Sequence, residues 1–290
     1  MGILLLDKPV GLSSNAALQR VRRLADRIKA GHCGSLDPLA SGMLPICLGE
    51  ATRLAGDLLQ GRKAYRFHLR LGERSATGDA EGQIVERAPV PSLTDAGIAQ
   101  VLARFIGPQT QVPPMYSALK RDGTPLYRLA RAGFSVAREP RPIRIDVLTC
   151  LGMSGGDLEL RTLCSKGTYV RVLAEDIARA LGSCGRLSSL RREYVEPFQS
   201  DALVDFDVLE AAPVQAWPLL SPDRAVAHLP SIRLDNAQTR ALRCGQSIAL
   251  PQAPEGRCRL YDPAGAFLGL GSGGGGWLRV QRLFSAPLPL

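Results

Sequence analysis

The spacing of apolar and polar residues predicts alternating strands and helices over about the first 200 residues. Tyr65–Leu71 alternates with a period of two, which is typical of a half-buried strand. Apolar residues at steps of four, three and four between 17 and 28 predict a helix from residues 13–15 to Gly31. The same reasoning predicts further strands at 3–6 and 158–164 and further helices at 94–106 and 169–181.

The pattern changes near Pro230, where short β-like runs are separated by turns that contain glycine or proline. These runs are Ser231–Leu234, Gln246–Leu250, Cys258–Tyr261, Ala266–Leu270 and Trp277–Phe284. Short strands at such spacing indicate a small closed or nearly closed β-barrel. We therefore expect two domains, with residues 1–227 in the first and residues 228–290 in the second.

The charge of the chain suggests a polyanionic partner. A formal net charge of +9 on 290 residues, with a pI near 9.5, favours nucleic acid over an anionic membrane surface, since no Lys-rich amphipathic helix with bulky aromatics is apparent. No run approaches the roughly 20 apolar residues of a transmembrane helix, and the start lacks a basic region before its short apolar run. We expect neither membrane association nor a signal peptide.

The segment Met115–Arg144 concentrates positive charge, with seven Lys or Arg against Asp122 and Glu139. Tyr116 and Tyr127 lie among these charges, a combination that suits RNA phosphates and stacked bases. A charge run by itself is more often a solvated face.

The seven cysteines form no C-x-x-C pair, which indicates reduced thiols and a cytoplasmic protein.

The clearest candidate for chemistry is Asp37, in the stretch GHCGSLDPLASGML at 31–44. Pro38 disfavours helix at the preceding residue, and the nearby glycines let the backbone approach a ligand closely, so Asp37 is expected on an extended turn. An isolated Asp-Pro pair would more often only start a turn.

Seven segments in order resemble the TruB-type tRNA pseudouridine synthases and cover nearly all of the first 200 residues. They are LDKPVGLSSN at 6–15, GHCGSLDPLASGMLPICLGEATRL at 31–54, KAYRFHLRLG at 63–72, TGDAEGQIV at 77–85, VPPMYSALKRDGTPLYRLARAG at 112–133, CSKGTYVRVLAEDI at 164–177 and LSSLRREYVEPF at 187–198. Cys33 and Ser35 depart from the usual family residues. The resemblance implies an α/β (α+β) fold, namely a mixed β-sheet flanked by helices, an RNA-binding insertion at about 112–144, and a PUA-like C-terminal β-barrel.

The resemblance implies that the enzyme isomerises uridine to pseudouridine at position 55 in the T loop of tRNA, by base flipping and an essential aspartate. No cofactor or metal is needed for this isomerisation, and the sequence contains neither G-x-G-x-x-G after a strand nor a P-loop. The expected partner is the T arm of tRNA, with no obligatory protein partner and a monomeric chain. A tRNA-folding role could accompany catalysis.

The resemblance also assigns roles to individual residues. Asp37 is the catalytic residue and Arg171 is its charge partner; Tyr65 and Tyr169 line the base pocket, and Tyr65 also assists proton removal. His32 occupies the space that the flipped base leaves, and Leu190 gives the pocket an apolar wall. Arg191 and Arg192 are expected phosphate contacts. Taken singly, each of these residues would more often be structural.

Three other functions remain open from the residues. A guide-RNA-dependent relative inside a multi-protein particle is less favoured, because residues 112–133 resemble the stand-alone enzymes and no Lys-rich tail is present. A non-catalytic RNA chaperone would not need Asp37, Tyr65 and Arg171 together. A glycosidase needs two cooperating carboxylates, and no second acid stands out at a site comparable to that of Asp37.

Overall fold

The computed structural model describes residues 2–285, which form one eight-stranded sheet, one five-stranded sheet and two short hairpins. The strands are β1 Ile3–Lys8, β2 Ala30–His32, β3 Ala40–Leu48, β4 Lys63–Leu71, β5 Glu73–Ser75, β6 Ile84–Arg87, β7 Gly107–Gln111, β8 Lys120–Arg121, β9 Thr124–Pro125, β10 Arg141–Ser154, β11 Asp157–Cys164, β12 Gly185–Val195, β13 Ser231–Arg233, β14 Ile248–Ala249, β15 Gly256–Tyr261, β16 Phe267–Gly274 and β17 Trp277–Leu283. The α-helices are α1 Ser14–Leu24, α2 Ala55–Gln60, α3 Asp95–Ala103, α4 Leu126–Arg131, α5 Val170–Ala180, α6 Phe206–Ala211 and α7 Asn236–Arg243.

The large sheet has the order β1-β3-β12-β4-β11-β10-β7, with β2 also paired to β3. Strand β12 runs parallel to β3, whereas the other neighbours are antiparallel. The expected mixed sheet flanked by helices is therefore confirmed. In the central strand β4, Phe67 and Leu69 are buried while Arg66 and Arg70 are exposed, as the period of two predicts.

Helices α1, α3 and α5 cover the apolar face of this sheet. Helix α5 turns Leu173, Ala174 and Ile177 toward Phe67 and Leu69 in one continuous core. Thr94 accepts a hydrogen bond from the backbone N–H of Gly97 and so caps α3. The expected helices at 94–106 and 169–181 are both present, with ends displaced by one to three residues.

The first helix is shorter than its apolar spacing predicts. Ser13 caps α1, but the helix ends at Leu24, and Asp26 and Arg27 adopt positive φ angles of 49° and 59°. These left-handed residues turn the chain back, so residues 30–32 form β2 against β3 rather than a last helical turn. The expectation of a helix that runs to Gly31 is wrong, because helical spacing in the sequence does not reveal a local reversal.

The C-terminal sheet has the order β13-β15-β16-β17-β14 and forms a curled half-barrel. The five expected strands are all present, although β14 keeps only two residues. The sequence pattern missed α7, which begins with a capping box in which Asp235 and Gln238 exchange side-chain-to-backbone hydrogen bonds.

The C-terminal sheet shares a hydrophobic cluster with the first part of the chain. Phe267, Leu270 and Phe284 belong to the same buried cluster as Ile3 and Leu54. An ion pair of 2.7 Å between Arg257 and Asp57 crosses the same junction. A chain shortened to about residue 228 would therefore expose apolar core of the first region.

No helix in residues 2–285 is both long and apolar enough to span a membrane.

Candidate active site

The Asp37 loop connects β2 and β3 and is held to the neighbouring elements on both sides. Ser14, buried at the start of α1, accepts a hydrogen bond from Leu36 N at 2.7 Å and donates one to Leu36 O at 3.1 Å. Asp37 itself is not helical, and its carbonyl accepts from Ala40 N at 3.0 Å across the Pro38 turn. The extended turn predicted for Asp37 is present.

Arg171 is the cation that faces Asp37. Its Nε lies 2.9 Å from Asp37 Oδ2, and its side chain is only 6% exposed. The other guanidinium nitrogens donate to Thr77 O at 2.9 Å and to Tyr116 O at 2.6 Å. Because the planar guanidinium of Arg171 contacts three acceptors at once, the direction in which its Nε–H points toward Asp37 is fixed.

A second buried carboxylate, Asp79, lies near the same Nε atom of Arg171. Asp79 Oδ2 is 3.8 Å from Arg171 Nε, and Asp79 Oδ1 accepts from the Thr77 hydroxyl and from Glu81 N. Asp79 lies in the matched motif TGDAEGQIV, but its role was not predicted from the sequence, because no second acid stood out at a site comparable to that of Asp37. Its place in that motif was the available signal.

The pKa of the Asp37 carboxyl is raised above its ordinary value of 3.8. Burial is the largest cause, and the neighbouring charge of Asp79 adds to it, while Arg171 and Lys8 act in the opposite direction. The Asp37 side chain is nevertheless 41% exposed, and its exposed part lies in the wall of a cleft. Arg171 thus offsets only part of the desolvation of Asp37.

Asp37 opens onto a cleft of about 440 Å³. Tyr65, Tyr169, Arg171 and Leu190 all contribute to its walls, so the structure brings these sequence-derived candidates together with Asp37. Asp37 and Arg171 provide charge at one side, whereas Tyr65 and Leu190 are buried and provide apolar surface. A cleft with one ionisable acid and flat apolar walls suits a planar base linked to a sugar.

The two tyrosines are held differently. Tyr65 lies on β4 and is 9% exposed, and burial raises the pKa of its phenol. Tyr169 precedes α5, where its backbone N–H donates to Gln111 Oε1 at 2.8 Å and its carbonyl accepts from Gln111 Nε2 at 3.1 Å. The half-buried Tyr169 ring is therefore fixed through its backbone, beside Arg171.

His32 does not line the cleft. It lies on β2, and burial together with the nearby Arg192 cation lowers its pKa, so the neutral imidazole is favoured. Its Nδ1 is buried and has no hydrogen-bond partner within residues 2–285.

Arg191 and Arg192 occupy opposite faces of β12. Arg191 is exposed and forms an ion pair of 2.7 Å with Asp7, whereas Arg192 is 1% exposed. Arg192 Nε donates to Met43 O at 2.7 Å, and its Nη2 donates to Gly34 O at 3.1 Å. A buried guanidinium cannot contact a phosphate on the protein surface, so that expectation is wrong for Arg192.

Two buried lysines near the cleft were also missed from the sequence. Lys8 is fully buried and donates to Pro9 O at 2.8 Å and to Leu12 O at 2.6 Å; burial lowers its pKa to about 8, and the Asp37 charge partly opposes that shift. Lys63 lines the cleft, and burial together with the Arg192 charge lowers its pKa to about 8. Lys8 lies in LDKPVG and Lys63 in KAYRFHLRLG, both matched motifs.

Uncompensated positive charge lies in two surface regions beyond the cleft. In the 112–144 segment and in the C-terminal region, several exposed cations have no carboxylate within 4.0 Å among the residues described; they are Lys120, Arg128, Arg131, Arg141, Arg233, Arg240, Arg243 and Arg279. Such cations are free to bind a polyanion.

In residues 2–285, no cluster of three or more His, Cys, Asp or Glu side chains could hold a metal ion.

Two family models match the chain, one in each region. The model described as TruB family pseudouridylate synthase (N terminal domain) matches residues 22–170, and the model described as Pseudouridine synthase II TruB, C-terminal, matches residues 230–284. The chain is 51% identical over 287 residues to tRNA pseudouridine synthase B of Aromatoleum aromaticum, with 98% of this chain and 92% of that protein covered. It is 48% identical over 291 residues to tRNA pseudouridine synthase B of Burkholderia mallei, with 97% and 96% covered.

Solved structures resemble the chain over nearly its whole length. A Cbf5-Nop10-Gar1 complex matches with a TM-score of 0.74 and 25% identity, covering 97% of this chain and 84% of that one. An H/ACA RNP bound to a substrate RNA containing 2′-deoxyuridine matches with a TM-score of 0.74 and 22% identity, covering 99% and 86%. The second similarity concerns the fold alone.

Proposed function

The chain belongs to the TruB family of pseudouridine synthases and isomerises uridine in tRNA, and on that premise we propose that its target is the uridine at position 55 in the T loop. That this cleft isomerises the uridine is supported above all by the contact of 2.9 Å between Arg171 Nε and Asp37 Oδ2 in its wall. A uridine stacked within the T loop must be extruded before it can enter that cleft.

We propose Asp37 as the group that acts on the sugar–base junction. The isomerisation breaks the bond from the ribose to the base nitrogen, turns the base and forms a bond to a base carbon, so no redox partner takes part. Asp37 must be ionised to act; burial raises its pKa and makes the carboxylate a stronger base, while Arg171 opposes its protonation. The same guanidinium fixes the orientation of the carboxylate through its bonds to Thr77 and Tyr116.

In this proposal the flipped base lies among Tyr65, Tyr169 and Leu190, which line the cleft. Tyr65 replaces the stacking that the base loses on leaving the RNA, and its hydroxyl assists proton removal at the base carbon. His32 is proposed to brace the RNA where the base has left, since it lies on the strand that leads into the Asp37 loop.

We further propose that residues 1–227 carry the chemistry and that residues 228–290 are an accessory RNA-binding domain. The unpaired cations of the 112–144 segment are proposed to hold the T arm, and those of the C-terminal region to hold a more distant part of the tRNA. The enzyme is proposed to act as a cytoplasmic monomer without an obligatory protein partner. A tRNA-folding activity could coexist with catalysis on the same surfaces.

The experiment uses the purified chain alone and an unmodified tRNA transcript tritiated at the uracil C5 position. Tritium release and a carbodiimide adduct at position 55 are expected from the wild-type transcript, and neither from a transcript with cytidine at that position. Release from the cytidine transcript would contradict the assignment of the target. Dependence of release on an added protein or guide RNA would contradict the stand-alone mode.

A further inference from the structure

Arg192 is a buried cation that the proposed chemistry does not use. No carboxylate oxygen in residues 2–285 lies within 4.0 Å of its guanidinium, although its exposure is only 1%. An unpaired buried charge carries a large desolvation cost, so the hydrogen bonds that compensate the charge of Arg192 hold its guanidinium firmly in place.

The backbone register places Arg192 between the two parts of the site. On one side Arg192 pairs with Gly42 of β3, and on the other it pairs with Tyr65 of β4. A Cβ built on Gly42 would lie 2.2 Å from Arg192 O, so only glycine permits this approach. As a cross-strand pair, Arg192 and Tyr65 have their side chains on the same face, and both line the cleft.

The guanidinium connects the two ends of the Asp37 loop. Its Nη2 donates to Gly34 O before Asp37, and its Nε donates to Met43 O after Asp37; its Nη1 lies 3.5 Å from Ser35 O. A planar fork can hold both ends at a fixed separation, whereas a single ammonium cannot. The cation also opposes the effect of burial on the pKa of Tyr65.

We propose that Arg192 is a positioning residue for the isomerisation, which acts through the Asp37 loop and through Tyr65 and does not contact RNA phosphate. This inference rests on the proposed role of Asp37. It distinguishes two arginines of the same cleft: Arg171 sets the charge state of Asp37, while Arg192 sets where Asp37 and the Tyr65 hydroxyl lie.

The test measures single-turnover rates at saturating enzyme, tRNA dissociation constants and thermal unfolding for Arg192→Lys and Arg192→Met. Arg192→Lys keeps the charge but cannot hold both loop ends, so its saturated rate should fall at least about tenfold, while tRNA affinity stays within about threefold. The acidic limb of its pH profile should stay in place, because Arg192→Lys keeps the positive charge and leaves the contact between Arg171 and Asp37. Arg192→Met should lose at least about tenfold more than Arg192→Lys.

A double-mutant cycle with Tyr65→Phe tests the connection to Tyr65. The loss caused by Arg192→Lys should be smaller in the Tyr65→Phe background, since part of it passes through the hydroxyl that is already absent. Arg161→Lys is the matched control, because Arg161 is an exposed arginine on the neighbouring strand β11 and pairs with Glu193. Its rate should equal that of the wild type.

Three outcomes would overturn the inference: a folded Arg192→Lys variant with a saturated rate within about threefold of wild type, a loss confined to tRNA affinity, or strict additivity with Tyr65→Phe. If Arg192→Met does not fold, Arg192→Lys decides alone. An active Asp37→Asn variant would instead refute the proposed function. Inactive Asp37→Asn together with normal Arg192→Lys would refute this inference only.

Discussion

The two faces of the large sheet carry the same kind of ion pair in different environments. On the open face, Arg70 pairs with Asp157 and Arg161 with Glu193, and the arginine side chains are 47% and 50% exposed. On the covered face, Arg171 is 6% exposed and faces Asp37 and the cleft. The residue types are the same, and the solvent around them differs.

Exposure to solvent determines how strongly the two charges of each pair interact. Water screens the pairs on the open face, so each contributes little to stability. In the cleft, burial raises the pKa of Asp37 despite the nearby arginine. The open face also neutralises its own charge, and so the cations available for RNA are the unpaired ones elsewhere.

The largest effect should come from replacing one carboxylate on each face by the neutral amide of asparagine. Asp37→Asn should reduce the saturated single-turnover rate by about 1000-fold or more, since the charge that acts on the sugar–base junction is lost. Its tRNA affinity should stay within about threefold, because phosphate contacts dominate affinity. Asp157→Asn is the matched control and should keep the wild-type rate. Turnover of Asp37→Asn within about tenfold of wild type would end the assignment.

A second test changes the arginine on each face. Arg171→Lys loses the planar contacts to Thr77 and Tyr116, so the saturated rate should fall by about 10- to 100-fold. Activity requires ionised Asp37, so it is present above the pKa of Asp37 and disappears as pH falls through it. Weaker stabilisation of the carboxylate raises that pKa further, and the acidic limb should move to higher pH.

The matched control for Arg171→Lys is Arg161→Lys, measured over the same pH range. Its profile should coincide with that of the wild type, since Arg161 and Glu193 lie on the open face. An unchanged acidic limb in Arg171→Lys would show that Arg171 does not control the ionisation of Asp37.

A smaller effect is expected at the stacking wall. Tyr65→Phe keeps the ring and should bind tRNA normally, but its rate should fall by about tenfold or more if the hydroxyl assists proton transfer. Tyr65→Leu should be slower still, because it loses the flat surface as well. Single-turnover rates at saturating enzyme compare the two variants. Equal activity of the leucine and phenylalanine variants would contradict the stacking role.

The smallest effect should come from the C-terminal cations. Arg240 and Arg243 on α7 are exposed and have no carboxylate partner within the described part of the chain. Replacing both by alanine should weaken tRNA binding and make the slope of log Kd against log salt shallower by about one per lost phosphate contact, with the saturated rate unchanged. The paired arginines Arg70 and Arg161 serve as the control. An unaltered slope in the α7 variant would remove this surface from the RNA interface.

Strand and helix periodicity predicted β1, β4, β11, the strands of the C-terminal sheet and the helices α1, α3 and α5. The alternation in β4 and the Thr94 cap of α3 are local properties, so the sequence contains them directly. The end of α1 was placed wrongly, and strands such as β3, β10 and β12 and the helices α2, α4, α6 and α7 were not predicted. Asp26 and Arg27 turn left-handed without a glycine to signal the turn, and α7 is a short, polar helix with only Leu242 buried.

For the site, the sequence by itself determined which side chains could act: an acid before a proline, an arginine at a helix start, and tyrosines in matched motifs. Only the tertiary structure decided which side chains meet. Asp79 lies 3.8 Å from Arg171, a residue distant in sequence. Arg192 holds both ends of the Asp37 loop because β12 lies between β3 and β4. The tertiary structure also sets the pKa of the Asp37 carboxyl, because folding determines how much solvent remains around it. Register and desolvation depend on contacts between distant segments, and no local pattern records them.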